Sequence, residues 1–291
     1  MGSEKIALPH SPVGWAIHLT KMVKAFCDAH GLARFPIDVE AIARDYSSSV
    51  YPDEAITLVQ GKAFSAKFEG ALMRKPNSAE WGIFYNSAIA SPGRRNFTLA
   101  HELGHYLLHR MMAGNEIICE KSDMWEWDSA YRVRESEANQ FASFLLMPRD
   151  DFDIQTAEFV RPVVSDFAKL SGRYNVSITA AVLKWLELTN QRAMVVISRD
   201  GFIDWAWSSK PLLRSGVFLR TRKGAMELPD SALAAKITEG GVYEGVVSPM
   251  GCWSKREEVF ESALLSEYHD KTISLLVYPK TPPPYALDED I

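Results

Sequence analysis

Two histidines and a glutamate lie close together in the stretch Phe97 to His109. His101 and His105 are four positions apart, and a helix turns about 100° per residue, so both would lie on one helix face. Two imidazoles in that arrangement can offer ring nitrogens to a single metal ion. Glu102 lies beside them and is placed to take a proton from a water on that metal, as in the H-E-x-x-H arrangement of zinc peptidases. The stretch therefore predicts a hydrolytic zinc site with Glu102 as the general base.

A catalytic zinc site normally has a third protein ligand. The helical pattern from Arg132 to Met147 contains a buried apolar stripe, which two carboxylates, Glu135 and Glu137, precede. Glu135 lies roughly 50° from the centre of the stripe and Glu137 roughly 110° from it. A carboxylate on a buried face is costly unless it is paired or binds metal, so we predict Glu135 as the third ligand and expect Glu137 not to bind. An ion pair of Glu135 with a nearby arginine is the alternative.

Five further side chains are candidates for supporting roles. Asn139 follows Glu135 by one helical turn and can hydrogen-bond a ligand histidine, or it is an ordinary polar helix residue. His109 follows His105 by four residues, as His105 follows His101. Each step of four residues rotates the side chain about 40° further around the helix, so His109 lies farther from the metal-binding face than the first two histidines. This favours a supporting role, or a role as a cation at the helix end, over that of a fourth ligand. Tyr106 is a candidate for stabilising an oxyanion, as is the pair Arg94-Arg95, with packing or surface roles as the alternative.

The composition of the chain is that of an ordinary globular protein. Of its 291 residues, 47% are hydrophobic and 24% charged, and the formal net charge is -5, which argues against a polyanion-binding surface over the whole chain. No run of about 18 apolar residues occurs, and Met1 to Pro9 lacks the apolar stretch of a secretory signal, so we expect a cytoplasmic protein without membrane contact. Cys27, Cys119 and Cys252 are far apart and predict free thiols.

The elements that must position these residues can be predicted from periodicity. They are a helix that ends at Gly31, a short helix after Pro36 up to Ala43, strands of a small antiparallel sheet over 49–85, and helices over 95–109 and 132–147. This mixture predicts an α+β domain over residues 1–150. The strand from Trp81 to Tyr85 either presents an exposed edge to an extended substrate or is a buried central strand.

The remainder of the chain divides into three predicted segments. Residues 151–192 predict a helical extension that resembles a helix-turn-helix, or two helices that only support the first domain. Five basic residues against two acidic ones between Arg161 and Arg192 make a modest basic balance, so DNA binding is not expected. Residues 193–280 predict a smaller β-rich regulatory or sensor domain with a turn at Arg199-Asp-Gly. The acidic, proline-rich tail over 281–291 predicts disorder.

The motifs resemble those of a known family. Arg94 to His109, followed by Glu135-Ser-Glu-Ala-Asn-Gln-Phe-Ala-Ser-Phe-Leu-Leu-Met-Pro148, is similar to the ImmA/IrrE family of metallopeptidase-like bacterial and phage proteins. The resemblance covers about residues 13–190 and implies a zincin-like fold. It also implies zinc held, in gluzincin-like fashion, by His101, His105 and Glu135, with Glu102 as general base. Several members of the family cleave a helix-turn-helix repressor.

These observations predict a zinc-dependent regulatory endopeptidase that cleaves a specific cytosolic protein. The resemblance makes a helix-turn-helix transcriptional repressor the expected substrate, as a separate protein. The β-rich region would then sense a signal ligand or recruit the target. The alternative is a non-proteolytic regulator that has the zinc fold and binds DNA or a protein partner.

Overall fold

A computed structural model describes residues 8–65, 68–112, 116–120, 129–221, 224–237, 242–266 and 271–281. Within these ranges the chain combines helices with two sheets, which confirms the predicted α+β class. It divides into two compact units. The first unit extends to Gln155 and includes Gly172–Ser177, and the second comprises Thr156–Ser171 and the chain from Ile178 onward. The predicted disordered tail lies, apart from residue 281, outside the described residues.

Local sequence determines where the helices of the first unit begin and end. They are α1 (Pro12–His30), α2 (Val39–Val50), α3 (Pro92–His109), α4 (Ser129–Leu146) and α5 (Arg149–Gln155). The predicted end of α1 is confirmed, because Gly31 caps it at a φ of 64°. In α3, the side chain of Ser91 accepts a hydrogen bond from the backbone N–H of Arg94, and a proline opens the helix.

The sheet of the first unit is mixed. Its strands are β1 (Ile56–Lys62), β2 (Phe68–Arg74), β3 (Trp81–Asn86) and β4 (Glu116–Glu120), in the order β1-β3-β2-β4. β1 is parallel to β3 and the other pairs are antiparallel, so the prediction of an antiparallel sheet is wrong. β3 is a central strand, which excludes the exposed-edge interpretation. Trp81, Gly82 and Ile83 are consecutive and all buried, as expected of a strand that is covered on both faces.

The second unit contains an antiparallel sheet. Its strands are β5 (Ala193–Arg199), β6 (Phe202–Ser208), β7 (Met226–Glu227), β8 (Val242–Ser248), β9 (Val259–Ser266) and β10 (Lys271–Val277), in the order β7-β6-β5-β10-β9-β8. The predicted turn between β5 and β6 is confirmed. Asp200 and Gly201 have φ values of 52° and 80°, which are typical of a two-residue hairpin turn.

Strand β9 is not predicted by the sequence, because Glu261 and Ser262 interrupt its apolar run. Both side chains are nevertheless buried. Glu261 accepts hydrogen bonds from the hydroxyl of Ser248 at 2.6 Å and from the indole N–H of Trp253 at 2.7 Å. A buried carboxylate is tolerated here because neutral donors satisfy it.

The remaining helices are α6 (Val164–Tyr174), α7 (Ile178–Leu188) and α8 (Lys210–Arg214). Cys27 and Cys252 are free thiols, as predicted. Among the helices in the described ranges, none is both long and apolar enough to cross a membrane.

Candidate metal centre

Three side chains that could bind a metal meet between α3 and α4. The Nε2 atoms of His101 and His105 each lie 3.2 Å from a different carboxylate oxygen of Glu135. The two Nε2 atoms are 3.0 Å apart. One ligand atom from each of the three residues lies within 4.8 Å of the others. The structure therefore brings together the three residues that the sequence predicts as metal ligands.

The donor set fits a metal ion. Two imidazole nitrogens and one carboxylate oxygen are a protein ligand set of catalytic zinc sites. The Nδ1 atom of His101 lies 3.0 Å from Oδ1 of Asn139, and that of His105 lies 3.0 Å from Nδ1 of His109. These contacts direct both Nε2 atoms towards the cluster. When both histidines carry their hydrogen on Nδ1, two lone pairs face each other across 3.0 Å, an arrangement that a shared cation stabilises.

The pKa shifts of two of the three ligand residues suit metal binding. Burial opposes ionisation of Glu135, but hydrogen bonds with His101 and His105 lower its pKa from 4.5 to about 2. Burial opposes protonation of His101, yet the hydrogen bond to Glu135 and the neighbouring carboxylates raise the pKa of this imidazole overall. Burial lowers the pKa of His105. Near neutral pH, Glu135 is therefore ionised and His105 neutral, the states in which these groups bind metal.

Gly104 allows the two helices to approach closely. A Cβ atom at this position would lie 2.9 Å from Cδ1 of Phe141 and 3.3 Å from the Cα atom of Ala138. Both of these α4 residues are fully buried. The close approach brings Glu135, which precedes Ala138 by about one helical turn, within reach of the histidines on α3.

Glu102 is fully buried, and its carboxylate lies against strand β2. A Cβ atom at Gly70 would lie 2.7 Å from Oε1 of Glu102 and 2.6 Å from Cγ2 of Thr98. The carboxylate therefore occupies its position only because residue 70 has no side chain. Gly70 is not among the site residues predicted from the sequence, although a glycine inside a strand is a signal of close approach by another group.

The other predicted residues have defined partners. Asn139 contacts His101, as expected of a residue that supports a ligand. Tyr106 is buried, and its hydroxyl donates to the backbone carbonyl of Glu54 at 2.9 Å. Arg94 forms an ion pair with Glu69, and Arg95 donates to the carbonyl of Ile89 at 2.8 Å. These contacts favour packing and ion-pair roles for Tyr106 and both arginines over the oxyanion role considered from the sequence.

His109 and Glu137 extend the centre outward. His109 is buried, with Nδ1 against His105 and Nε2 3.0 Å from Oε2 of Glu137. His109 therefore contacts a predicted ligand rather than joining the ligand cluster. The helix angle correctly places Glu137 on a more exposed face than Glu135, with 41% against 23% of the side chain exposed. The helix angle does not predict the contact of Glu137 with His109, because that contact joins two different helices.

A known protein family matches the part of the chain that contains the metal centre. Residues 62–186 match the Peptidase M78 family, described as the IrrE N-terminal-like domain. The matched range includes His101, Glu102, His105 and Glu135. This region of the chain is similar to the IrrE N-terminal-like domain. The resemblance to the ImmA/IrrE family is thereby confirmed over this part of the chain.

Two curated relatives match part of the chain. The radiation response metalloprotease IrrE of Deinococcus deserti is 35% identical over 107 residues, which cover 37% of this chain and 36% of the relative. The protein of the same name from Deinococcus radiodurans is 33% identical over 119 residues, which cover 41% of this chain and 35% of the relative. The match thus spans about a third of the length of each relative.

A solved structure resembles the chain over a longer range. It is described as a Mycobacterium tuberculosis transcriptional regulator and has a TM-score of 0.55 at 14% sequence identity. The likeness covers 90% of this chain and 76% of that chain, beyond the IrrE N-terminal-like domain itself. At this identity it shows similarity of fold alone.

Proposed function

We propose that the chain is a zinc-dependent endopeptidase that cleaves a specific regulatory protein. The observation that carries this proposal is the meeting of His101, His105 and Glu135 beside the buried carboxylate of Glu102. A site that only held a structural metal would be closed by a fourth protein ligand and would need no additional carboxylate next to its ligands. Two imidazoles and one carboxylate, with a neighbouring glutamate, suit hydrolysis instead.

Each of these side chains would have a distinct task. A zinc ion bound by the three ligands would supply Lewis-acid chemistry, polarising a peptide carbonyl and lowering the pKa of a water to about 7. The Glu102 carboxylate would accept a proton from that water and return it to the leaving amine. Asn139 and His109 would hold the two imidazoles so that both Nε2 atoms point at one site.

We further propose that the substrate is a helix-turn-helix transcriptional repressor in the cytoplasm. The similarity to the ImmA/IrrE family supports this substrate class, and the names of the two radiation response metalloproteases support a regulatory role. A peptidase that cleaved cytosolic proteins without selection would be harmful. Its specificity should therefore come from docking outside the cleft as well as from residues next to the scissile bond.

The second unit is the proposed place for docking or for a signal ligand. It contains an open cavity of about 730 Å³. Phe260 and Tyr278 contribute aromatic side chains to the lining, and Arg161 and Lys280 contribute basic ones. Val247 lies at the same cavity and is exposed, as is Met250 beyond the end of β8.

We expect the Glu102→Gln variant of the whole chain to capture the substrate without cleaving it. Mass spectrometry of the captured proteins should identify a DNA-binding regulator, which the wild-type protein with zinc then cleaves. Charge substitutions on the second unit, Val247→Glu and Met250→Glu, should lower capture. Ile154→Glu, an equally drastic change at an exposed residue of the first unit, is the matched control. A captured regulator that wild-type protein leaves intact would argue against the proposal.

Point substitutions are preferable to a truncation in this experiment. A chain cut after residue 192 would retain Thr156–Ser171 without the sheet of the second unit, to which this segment belongs. The backbone N–H of Val164, for example, donates to the hydroxyl of Ser262 at 3.1 Å. Loss of capture by a truncated chain could therefore reflect unfolding rather than loss of docking.

A non-proteolytic regulator that binds DNA is the second candidate. The fold similarity to a protein described as a transcriptional regulator favours it. The basic residues of the predicted helix-turn-helix segment speak against it, because most of them have acidic partners. The pairs are Arg173 with Asp151 through two bonds of 2.7 Å, Arg192 with Glu257 through bonds of 2.8 and 2.9 Å, and Lys184 with Glu187 at 3.4 Å.

We therefore expect no specific binding to duplex DNA. Any residual binding should be unaffected by Lys169→Glu, although this lysine is 85% exposed and its Nζ lies as far as 4.0 Å from its acidic partner Asp166. Fluorescence anisotropy over a range of salt concentrations measures both effects. Tight binding that falls steeply with salt and weakens in Lys169→Glu would favour the DNA-binding candidate instead.

A further inference from the structure

A row of three side chains connects the metal cluster with the exposed side of α4. Nδ1 of His105 lies 3.0 Å from Nδ1 of His109, and Nε2 of His109 lies 3.0 Å from Oε2 of Glu137. Both histidines are buried, whereas 41% of the Glu137 side chain is exposed. The proposed mechanism gives Glu137 no task, yet this carboxylate contacts the residue that holds a predicted ligand.

The positions of the hydrogens on the two imidazoles can be assigned by starting from Glu137, the exposed end of the row. An ionised carboxylate only accepts hydrogen bonds, so Nε2 of His109 must carry a hydrogen and donate it to Glu137. When His109 is neutral it has one donor and one acceptor nitrogen, and with Nε2 as the donor its Nδ1 is the acceptor. The Nδ1 atom of His105 faces it and must donate. The hydrogen of His105 therefore lies on Nδ1, and its Nε2 lone pair is directed at the cluster.

We infer that Glu137 and His109 are positioning residues that fix the metal-binding tautomer of His105. This inference rests on the proposed metal site. The Nδ1 atom of His101 instead contacts the Asn139 side-chain oxygen, so the two histidines have different supporting partners. For His105, the acceptor that decides the tautomer is the carboxylate of Glu137, which is separated from His105 by the imidazole of His109. An exposed carboxylate that contacts no ligand atom of the cluster thus governs its affinity for zinc.

The test is a pair of substitutions that differ in one property. Glu137→Gln and Glu137→Leu both remove the charge and have similar size, but only glutamine retains an oxygen that accepts a hydrogen bond from His109. We expect Glu137→Leu to lower zinc affinity about 10- to 100-fold, the range for partners that orient a metal ligand. Glu137→Gln should bind zinc nearly as well as wild type. Competition with a chromophoric chelator measures both affinities without any peptidase assay.

Two results of this experiment would overturn the inference. Equal losses in both variants would show that the charge of Glu137 matters and its acceptor does not. Unchanged affinity in both would show that the row does not control the site. A wild-type protein that binds no zinc would instead contradict the proposed function, which separates the two failures.

A second measurement decides the tautomers directly. Two-bond ¹H–¹⁵N correlation spectra of the histidine rings should show hydrogen on Nδ1 of His105 and on Nε2 of His109. Because these spectra can be recorded with or without zinc, they test the assignment even if zinc does not bind. Hydrogens on both nitrogens of His109, with the His105 hydrogen on Nε2, would contradict it. In Glu137→Leu, we expect His109 to lose its single preferred tautomer.

Discussion

Replacing Glu102 with glutamine should remove hydrolysis and leave zinc in place. The amide has nearly the size of the carboxylate and can occupy the same buried space against Gly70, but it cannot accept the proton. General acid–base groups contribute about 10²- to 10⁴-fold to rate, so turnover of the captured substrate should fall by that factor. Zinc content, measured on the same sample by atomic emission, should equal that of wild type.

The control for this prediction is the same chemical change at an exposed position. Glu158→Gln alters a surface glutamate of the second unit and should leave both turnover and zinc content unchanged. Turnover retained in Glu102→Gln would contradict the role of this residue as general base. Zinc lost together with turnover would instead show that Glu102 helps to hold the metal.

Removal of a direct ligand should have the largest effect on metal binding. We expect Glu135→Ala and His105→Ala each to lower zinc affinity more than about 100-fold, beyond the upper range for partners that only orient a ligand. His30→Ala removes an exposed imidazole from α1 and should have no effect. Chelator competition gives the affinities, and circular dichroism verifies that each variant is folded.

The relative zinc affinities of the variants test whether Glu135 is the ligand more sharply than the affinity of any single variant. Zinc affinity should fall most in Glu135→Ala, less in Glu137→Leu and least in Glu137→Gln. The reverse order, with Glu137 more important than Glu135, would mean that the helix geometry assigns the wrong carboxylate. Equal zinc affinity in wild type and His105→Ala would remove the proposed site altogether.

Features determined by local sequence could be predicted well. The end of α1 at Gly31 and the turn at Asp200-Gly201 depend on the backbone conformations that these residues favour. The histidine pair could be placed on one face because helix geometry fixes residues four apart. Glu135 could be selected because its angle to the apolar stripe shows which carboxylate faces the neighbouring helix.

Features that depend on pairing between distant segments could not be predicted in the same way. The position of β3 between β1 and β2 follows from which strands meet, and alternation of residue types carries little information about this. Glu137 was correctly placed on a more exposed face, but its reach to His109 depends on the distance between α3 and α4. Gly104 permits that distance because it has no side chain to meet Phe141, and no local pattern reveals this proximity.

Gly70 has a consequence for how such proteins are recognised in genomes. A homologous sequence with a larger residue at this position could keep the complete histidine motif about 30 residues downstream. The glutamate of the motif, however, would have to leave the place that it occupies here. Surveys that count peptidases by the motif alone would include such sequences among the enzymes. Inspection of the strand glycine would separate chains equipped for hydrolysis from those that retain only the capacity to bind metal.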